Sequence, residues 1–161
     1  MNTRRVVAAL VVALVAVAAV VLVFFPGVLV GDPGPYNTTN VTVADENGTD
    51  LATVDVRIAD TFEKRYTGLS DTDSLAPDEG MLFVHDTEEE HSYVMRGMDF
   101  PIDIIFVDGN GTIVQITHAS VDGANAPYSA RAKYVLEVNR GWANRTGVSV
   151  GDRVEIPDSV E

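Results

Sequence analysis

The chain divides by its hydrophobic pattern into one unbroken apolar run and a longer segment in which apolar and polar residues alternate. From Val6 to Val30 no charged residue interrupts the sequence. At ~1.5 Å per residue, a helix over that run reaches about 37 Å, enough to cross a hydrocarbon core of ~30 Å with some tilt. A secretory signal peptide has a shorter apolar region, roughly 7–15 residues. Val6–Phe25 exceeds that before the first helix breaker, Pro26. Ala16-Val17-Ala18 has the look of a cleavage site but lies inside the run, so a cleaved export signal stays open beside the uncleaved anchor. Arg4 and Arg5 precede the run and also fit a twin-arginine signal; more simply, they satisfy the positive-inside rule. The expected order is a cytoplasmic stub at 1–5, a transmembrane anchor at 6–30, a spacer at 31–40 with two prolines and two glycines, and an extracytoplasmic domain at 41–157.

Beyond residue 40 the period changes to two, the signature of half-buried strands. In Leu51–Ala59, Ala52, Val54, Val56 and Ile58 share one face, and Thr53, Asp55 and Arg57 the other. Val41–Asp45 precedes it across an Asn47-Gly48 turn, a strong hairpin signal. Further strands are expected at Met81–Val84, Ser92–Arg96, Ile102–Val107, Thr112–Thr117, Lys133–Val138 and Arg153–Ile156. Asp60 is placed to cap a short helix that Gly68 stops, and Gly141–Gly147 reads as one further helical turn with Trp142 packed inward. The expected fold is mainly β (α+β): a single antiparallel barrel or sandwich-like domain with one or two short helices.

Charge changes the picture of the surface. After residue 30 there are 24 acids against 9 bases, a balance of −15, and only Lys64 and Lys133 are lysine. Phosphate binding needs a basic surface, so nucleic acid is excluded as a partner. An acid-coated, lysine-poor surface suits a protein held in near-saturating salt, where repulsion is screened within a few ångströms, and implies a halophilic host. The chain has no cysteine, which rules out disulfides, a thiolate nucleophile and a zinc ribbon. Five N-glycosylation sequons start at Asn37, Asn40, Asn47, Asn110 and Asn144.

Several blocks occur together in order: Arg65-Tyr66-Thr67-Gly68-Leu69, Glu79-Gly80-Met81-Leu82-Phe83, Tyr93-Val94-Met95-Arg96, Phe100-Pro101-Ile102-Asp103-Ile104-Ile105-Phe106, Leu136-Glu137-Val138-Asn139-Arg140-Gly141-Trp142 and Gly151-Asp152-Arg153-Val154. They resemble domain-of-unknown-function family 192, an uncharacterised group often exported or membrane-anchored, over roughly residues 42–156, here of a halophilic archaeal type. Members commonly carry an aromatic before the methionine and Lys-Asn-Thr after it, where this chain has Val94 and Arg96-Gly97-Met98. The resemblance implies a β-rich fold and no reaction.

Candidate chemistry is sparse. Gly147-Val148-Ser149-Val150-Gly151 has the form of a nucleophile elbow, but a strand follows it instead of a helix, and no histidine lies later in the chain. His85, His91 and His118 are weak candidate metal ligands, with Met95 as a thioether on the strand face of His91; the first two are expected to face each other across a hairpin. Asp103 interrupts a run apolar on both faces, so its carboxylate is expected to be buried and paired. By the resemblance its partners are Arg65 and Arg96, and the cluster Asp103, Arg65, Arg96 and Glu79 is either an ion-pair staple or a ligand site. No cofactor is expected. The leading expectation is a membrane-tethered binding or scaffold module with an unknown protein or small-molecule partner. The alternative is a small hydrolase or metal-binding enzyme using Asp103, Glu79 and the histidines.

Overall fold

The structure, a computed structural model, describes residues 31–123 and 126–160. The expected anchor at 6–30 lies outside the described residues. The strands are β1 (Thr38–Ala44), β2 (Asp50–Ala59), β3 (Glu79–Tyr93), β4 (Ile102–Val107), β5 (Ile113–Ala119), β6 (Tyr128–Asn139) and β7 (Arg153–Glu155). The helices are α1 (Phe62–Thr67) and α2 (Trp142–Thr146), with 3₁₀ turns at Val121–Gly123 and Asp158–Val160. One seven-stranded sheet runs β5-β4-β6-β3-β2-β1-β7. Every pairing is antiparallel except β2 with β3, where the connection through α1 carries the chain back to a parallel start. Thr112, just before β5, bridges to Arg153 of β7, so the ends of the sheet approach each other and it curls into a half-barrel.

Local chemistry explains both asparagine-glycine turns. Asp45 Oδ1 accepts from the amides of Asn47 and Thr49, and Asp108 Oδ1 from those of Asn110 and Thr112. Each turn thereby satisfies donors that its strands leave free, and Gly48 and Gly111 take the positive φ required. β1 starts at Thr38, three residues earlier than the expected strand, with Asn37 already accepting from the Ile58 amide. The cap of α1 is Thr61, whose hydroxyl accepts from the Lys64 amide, and not Asp60. Asp60 instead pairs with Lys64 Nζ at 2.8 Å.

The two strands expected at Met81–Val84 and Ser92–Arg96 are one 15-residue strand, β3. No hairpin separates them, because both halves pair with the same partner, β6. Val84 faces Tyr134 and Glu89 faces Ala132, so the residues between them leave the ladder as a wide bulge.

Strand alternation divides the core into two layers. On one face Val54, Val56, Leu82, Ile105, Leu136 and Val138 pack under Trp142 and Ala143 of α2. On the other, Met81, Phe83, Ile102, Ile104, Phe106 and Val135 pack under Leu69, Leu75 and Met95. All six residues of β4 are buried, since both faces of the central strands are covered. Gly80 lets the β3 and β6 backbones pass closely: a Cβ there would sit 2.5 Å from the Glu137 carbonyl oxygen.

Candidate functional site

Strand parity first decides where Asp103 points. Ile102 and Ile104 belong to the face under Leu69 and Met95, so Asp103 between them points to the opposite face, under α2. It is fully buried there. Its Oδ1 lies 2.7 Å from His118 Nδ1, directly across the β4–β5 ladder, and 3.8 Å from Arg140 Nε. Its Oδ2 accepts from the Ala143 amide in the first turn of α2, where the orphan helix donors favour an anion. The expected partners Arg65 and Arg96 are therefore not its partners; they line a cleft with Ile102, whose side chain takes the other parity. Glu79 is not part of this cluster either, since its Oε2 closes a local turn on the Ala76 amide.

The histidines are also separated by the fold. His118 is committed to Asp103. The β3 bulge stacks His85 on His91, with ring centroids 3.4 Å apart and an interplanar angle of 11°. Stacked rings present faces to each other, not converging nitrogen lone pairs, and His85 Nε2 is held 2.9 Å from the Tyr93 hydroxyl. Met95 is buried in the core. Among the described residues no group of three His, Asp or Glu side chains is arranged to hold a metal ion.

What the fold does build is a cleft of about 400 Å³ between α1, the edge of the β3 bulge, and the loop after β3. Its floor holds a residue that the sequence reading did not single out. Glu137 of β6 is 6% exposed and faces the cleft. Its neighbours at the same height on the two flanking strands are Met81 and Ile104, neither of which can accept or donate a proton. No hydrogen bond or ion pair among the described residues reaches its carboxyl. Burial alone accordingly pushes its pKa up from 4.5 to about 8.

The walls supply aromatic rings and cations. Tyr93 meets Phe83 edge-on at 5.0 Å, and burial, followed by the Glu137 charge, raises its phenol above the usual value. Burial, then the charge of His91 and then that of Arg65, holds His85 down from 6.5 to about 4, so it is neutral at ordinary pH. Arg65 Nη1 donates to the carbonyls of Asp60 and Val84, fixing the guanidinium at the α1 side. Arg96 stacks 4.1 Å over the Tyr66 ring and donates to the Tyr66 carbonyl. Phe62 and Val94, 62% and 46% exposed, line the same cleft. Ser70 and Ser92 also line it, yet their hydroxyls bond the Thr67 carbonyl and the Ser129 hydroxyl, not an imidazole. The arrangement suits binding: an apolar wall, two guanidiniums and one desolvated carboxyl.

The five sequon asparagines are all exposed. Ser149 occupies the turn between α2 and β7, its amide donating to Asp152 Oδ2.

Comparison with other proteins places this architecture. A UPF0127 protein of Pyrococcus furiosus is 34% identical over 104 residues, 63% of this chain and 86% of that relative. A Pyrococcus horikoshii UPF0127 protein is 32% identical over 103 residues, with the same coverage. Among solved structures, a Sinorhizobium meliloti protein described as a candidate transcription regulator superposes with a TM-score of 0.72 at 31% identity, over 78% of this chain and 97% of that one. A Novosphingobium aromaticivorans protein of unknown function gives 0.71 at 29% identity, over 79% and 91%. The model of the DUF192 family, described as "Uncharacterized ACR", matches residues 42–156. With that match spanning most of the chain and its half-barrel shared with solved structures, the protein belongs to the uncharacterised DUF192 (UPF0127) family.

Proposed function

We propose that this protein is a membrane-tethered, extracytoplasmic binding module whose ligand is a small molecule held in the Glu137 cleft. The carrying observation is the carboxyl of Glu137, 6% exposed at the cleft floor, with no hydrogen-bond or ion-pair partner among the described residues. Burying such a group without compensation is costly, and an apolar residue between Met81 and Ile104 would avoid that cost. A desolvated, perturbed carboxyl in a cleft is where function is to be sought first. The tether rests on the uncharged run Val6–Val30 behind Arg4 and Arg5, and the acidic coat of the domain suits a salt-rich exterior.

The test is isolation of the full chain from native membranes, followed by native mass spectrometry beside Glu137→Gln. Recovery in the membrane fraction with an added small-molecule mass, absent from Glu137→Gln, supports the reading. Recovery in the cytosol rejects the tether. Identical masses without adduct in both proteins reject the cleft as a ligand site.

A further inference from the structure

We infer that the cleft selects a zwitterionic small molecule of the amino-acid class, with its ammonium on Glu137, its carboxylate toward Arg65 and Arg96, and an apolar body between. This rests on the reading of the cleft as a ligand site and names what fills it. The charges that line the cleft are the starting point. Glu137 is the only acid among the described residues that line it, although the domain surface is otherwise rich in acids. Two guanidiniums share the same walls. One carboxyl able to ionise on binding and two guanidiniums in the same cleft form a complementary template for a dipolar ligand.

Simpler ligands match less of the site. An alkylamine would satisfy Glu137 but meet two guanidiniums with no anion to offer them. A plain carboxylate would satisfy the arginines and leave the floor carboxyl unpartnered. A metal ion would find one carboxyl only, because the imidazoles are stacked on each other and His85 Nε2 is taken by Tyr93. Leu69, Phe83, Met98 and Ile102 line the same cleft and supply apolar contact for the body of the ligand. The volume of about 400 Å³ equals the share of roughly a dozen waters at about 30 Å³ each. That admits a small molecule such as leucine or phenylalanine with room left for water, and is too small for a folded partner.

The proton balance is explicit. The titratable and charged groups that share the cleft with Glu137 are Tyr93, His85 and His91 from β3, Arg65 and Tyr66 from α1 and Arg96 from the loop after β3, while Met81 and Ile104 flank it. In the empty cleft below about pH 8 the carboxyl carries its proton. Seating an ammonium requires the carboxylate, so one proton leaves Glu137 for solvent as the ion pair forms. No bond of the ligand is made or broken. Affinity must then rise with pH, about tenfold per unit between pH 6 and 7.5, and level off above 8.

The experiment is isothermal titration calorimetry on the full chain in lipid nanodiscs at high salt. The probes are L-leucine and L-phenylalanine, with isoamylamine, 4-methylpentanoate and glucose as partial or neutral mimics, run in buffers of different ionisation enthalpy. Leucine or phenylalanine should bind at least tenfold tighter than any mimic and release close to one proton. Glu137→Gln should abolish this binding. Arg96→Ala, at an exposed position, should weaken the amino acid about tenfold and should not weaken isoamylamine, which loses only a like charge. Tighter binding of 4-methylpentanoate or glucose overturns the zwitterion and leaves the cleft standing as a ligand site. Silence of every probe, with a native adduct still seen, also rejects the amino-acid class. Silence together with the absence of any native adduct rejects the cleft itself.

Discussion

Replacing Glu137 by Gln should make the domain more stable, by an amount that depends on pH in a defined way. In the unfolded chain the carboxyl titrates at 4.5, and in the fold at about 8. Between those values the folded state holds a proton that the unfolded state has lost. Stability therefore falls as pH rises through that window, by ~1.4 kcal/mol per pH unit. Below 4.5 both states are protonated and the residue contributes no slope; above 8 both are ionised and the loss is complete. Across the whole window it amounts to about 5 kcal/mol, a large share of the 5–15 kcal/mol typical of a domain. Glutamine keeps the shape and lacks the titration. His85 acts in the opposite sense: its folded value is depressed from 6.5 to about 4, so its contribution is present above 6.5 and lost as pH falls toward 4. Because His85 is common to both proteins, it cancels in their difference. Guanidinium unfolding of both proteins at pH 4.5, 6.5 and 8 gives that difference. It should grow from near zero to several kcal/mol in favour of Glu137→Gln. A pH-independent difference, or a glutamine variant less stable at pH 8, would refute the description of Glu137 as a buried, unpaired acid.

Asp103→Ala should destabilise by about 3–5 kcal/mol, the usual result of breaking a buried pair, because the Ala143 amide loses its acceptor along with His118 and Arg140. His118→Ala, at a partly exposed side chain, should cost about 1 kcal/mol, and the double variant much less than the sum of both; additive unfolding free energies would show that the two do not interact. With a balance of −15 beyond residue 30, the melting temperature should climb between ~0.1 M and ~2 M salt as screening relieves repulsion, and a salt-indifferent melting curve would remove the halophilic reading.

Local chemistry and period-two alternation made much of the fold legible. The Asn47-Gly48 turn, the Gly68 stop, the helical turn at Trp142 and the buried strand Ile102–Val107 follow from residues whose conformational needs are met within a few positions. The β3 bulge was not legible, since a polar run such as Asp86–Glu90 reads equally as a turn or as an excursion from a continuing ladder. Asp103 was recognised as buried because it interrupts an apolar run, but its partners were assigned without counting parity. Parity alone places it on the face away from Arg65 and Arg96. The same rule applied to Tyr134-Val135-Leu136-Glu137-Val138 would have found Glu137, an acid inside an equally apolar strand. What no local pattern supplies is that Met81 and Ile104 stand beside it, because that depends on the register of three strands distant in sequence.

The state of the Glu137 carboxyl in the empty cleft can be observed directly. Carbon-13 NMR of glutamate-labelled full chain, with the resonance assigned by its loss in Glu137→Gln, reports its protonation as pH is raised. A midpoint near 8, well apart from the surface glutamates, is expected of a carboxyl that burial keeps protonated and that none of the described residues partners. A midpoint near 4.5 would mean that the floor of the cleft is solvated or already paired, and would contradict the site built around it.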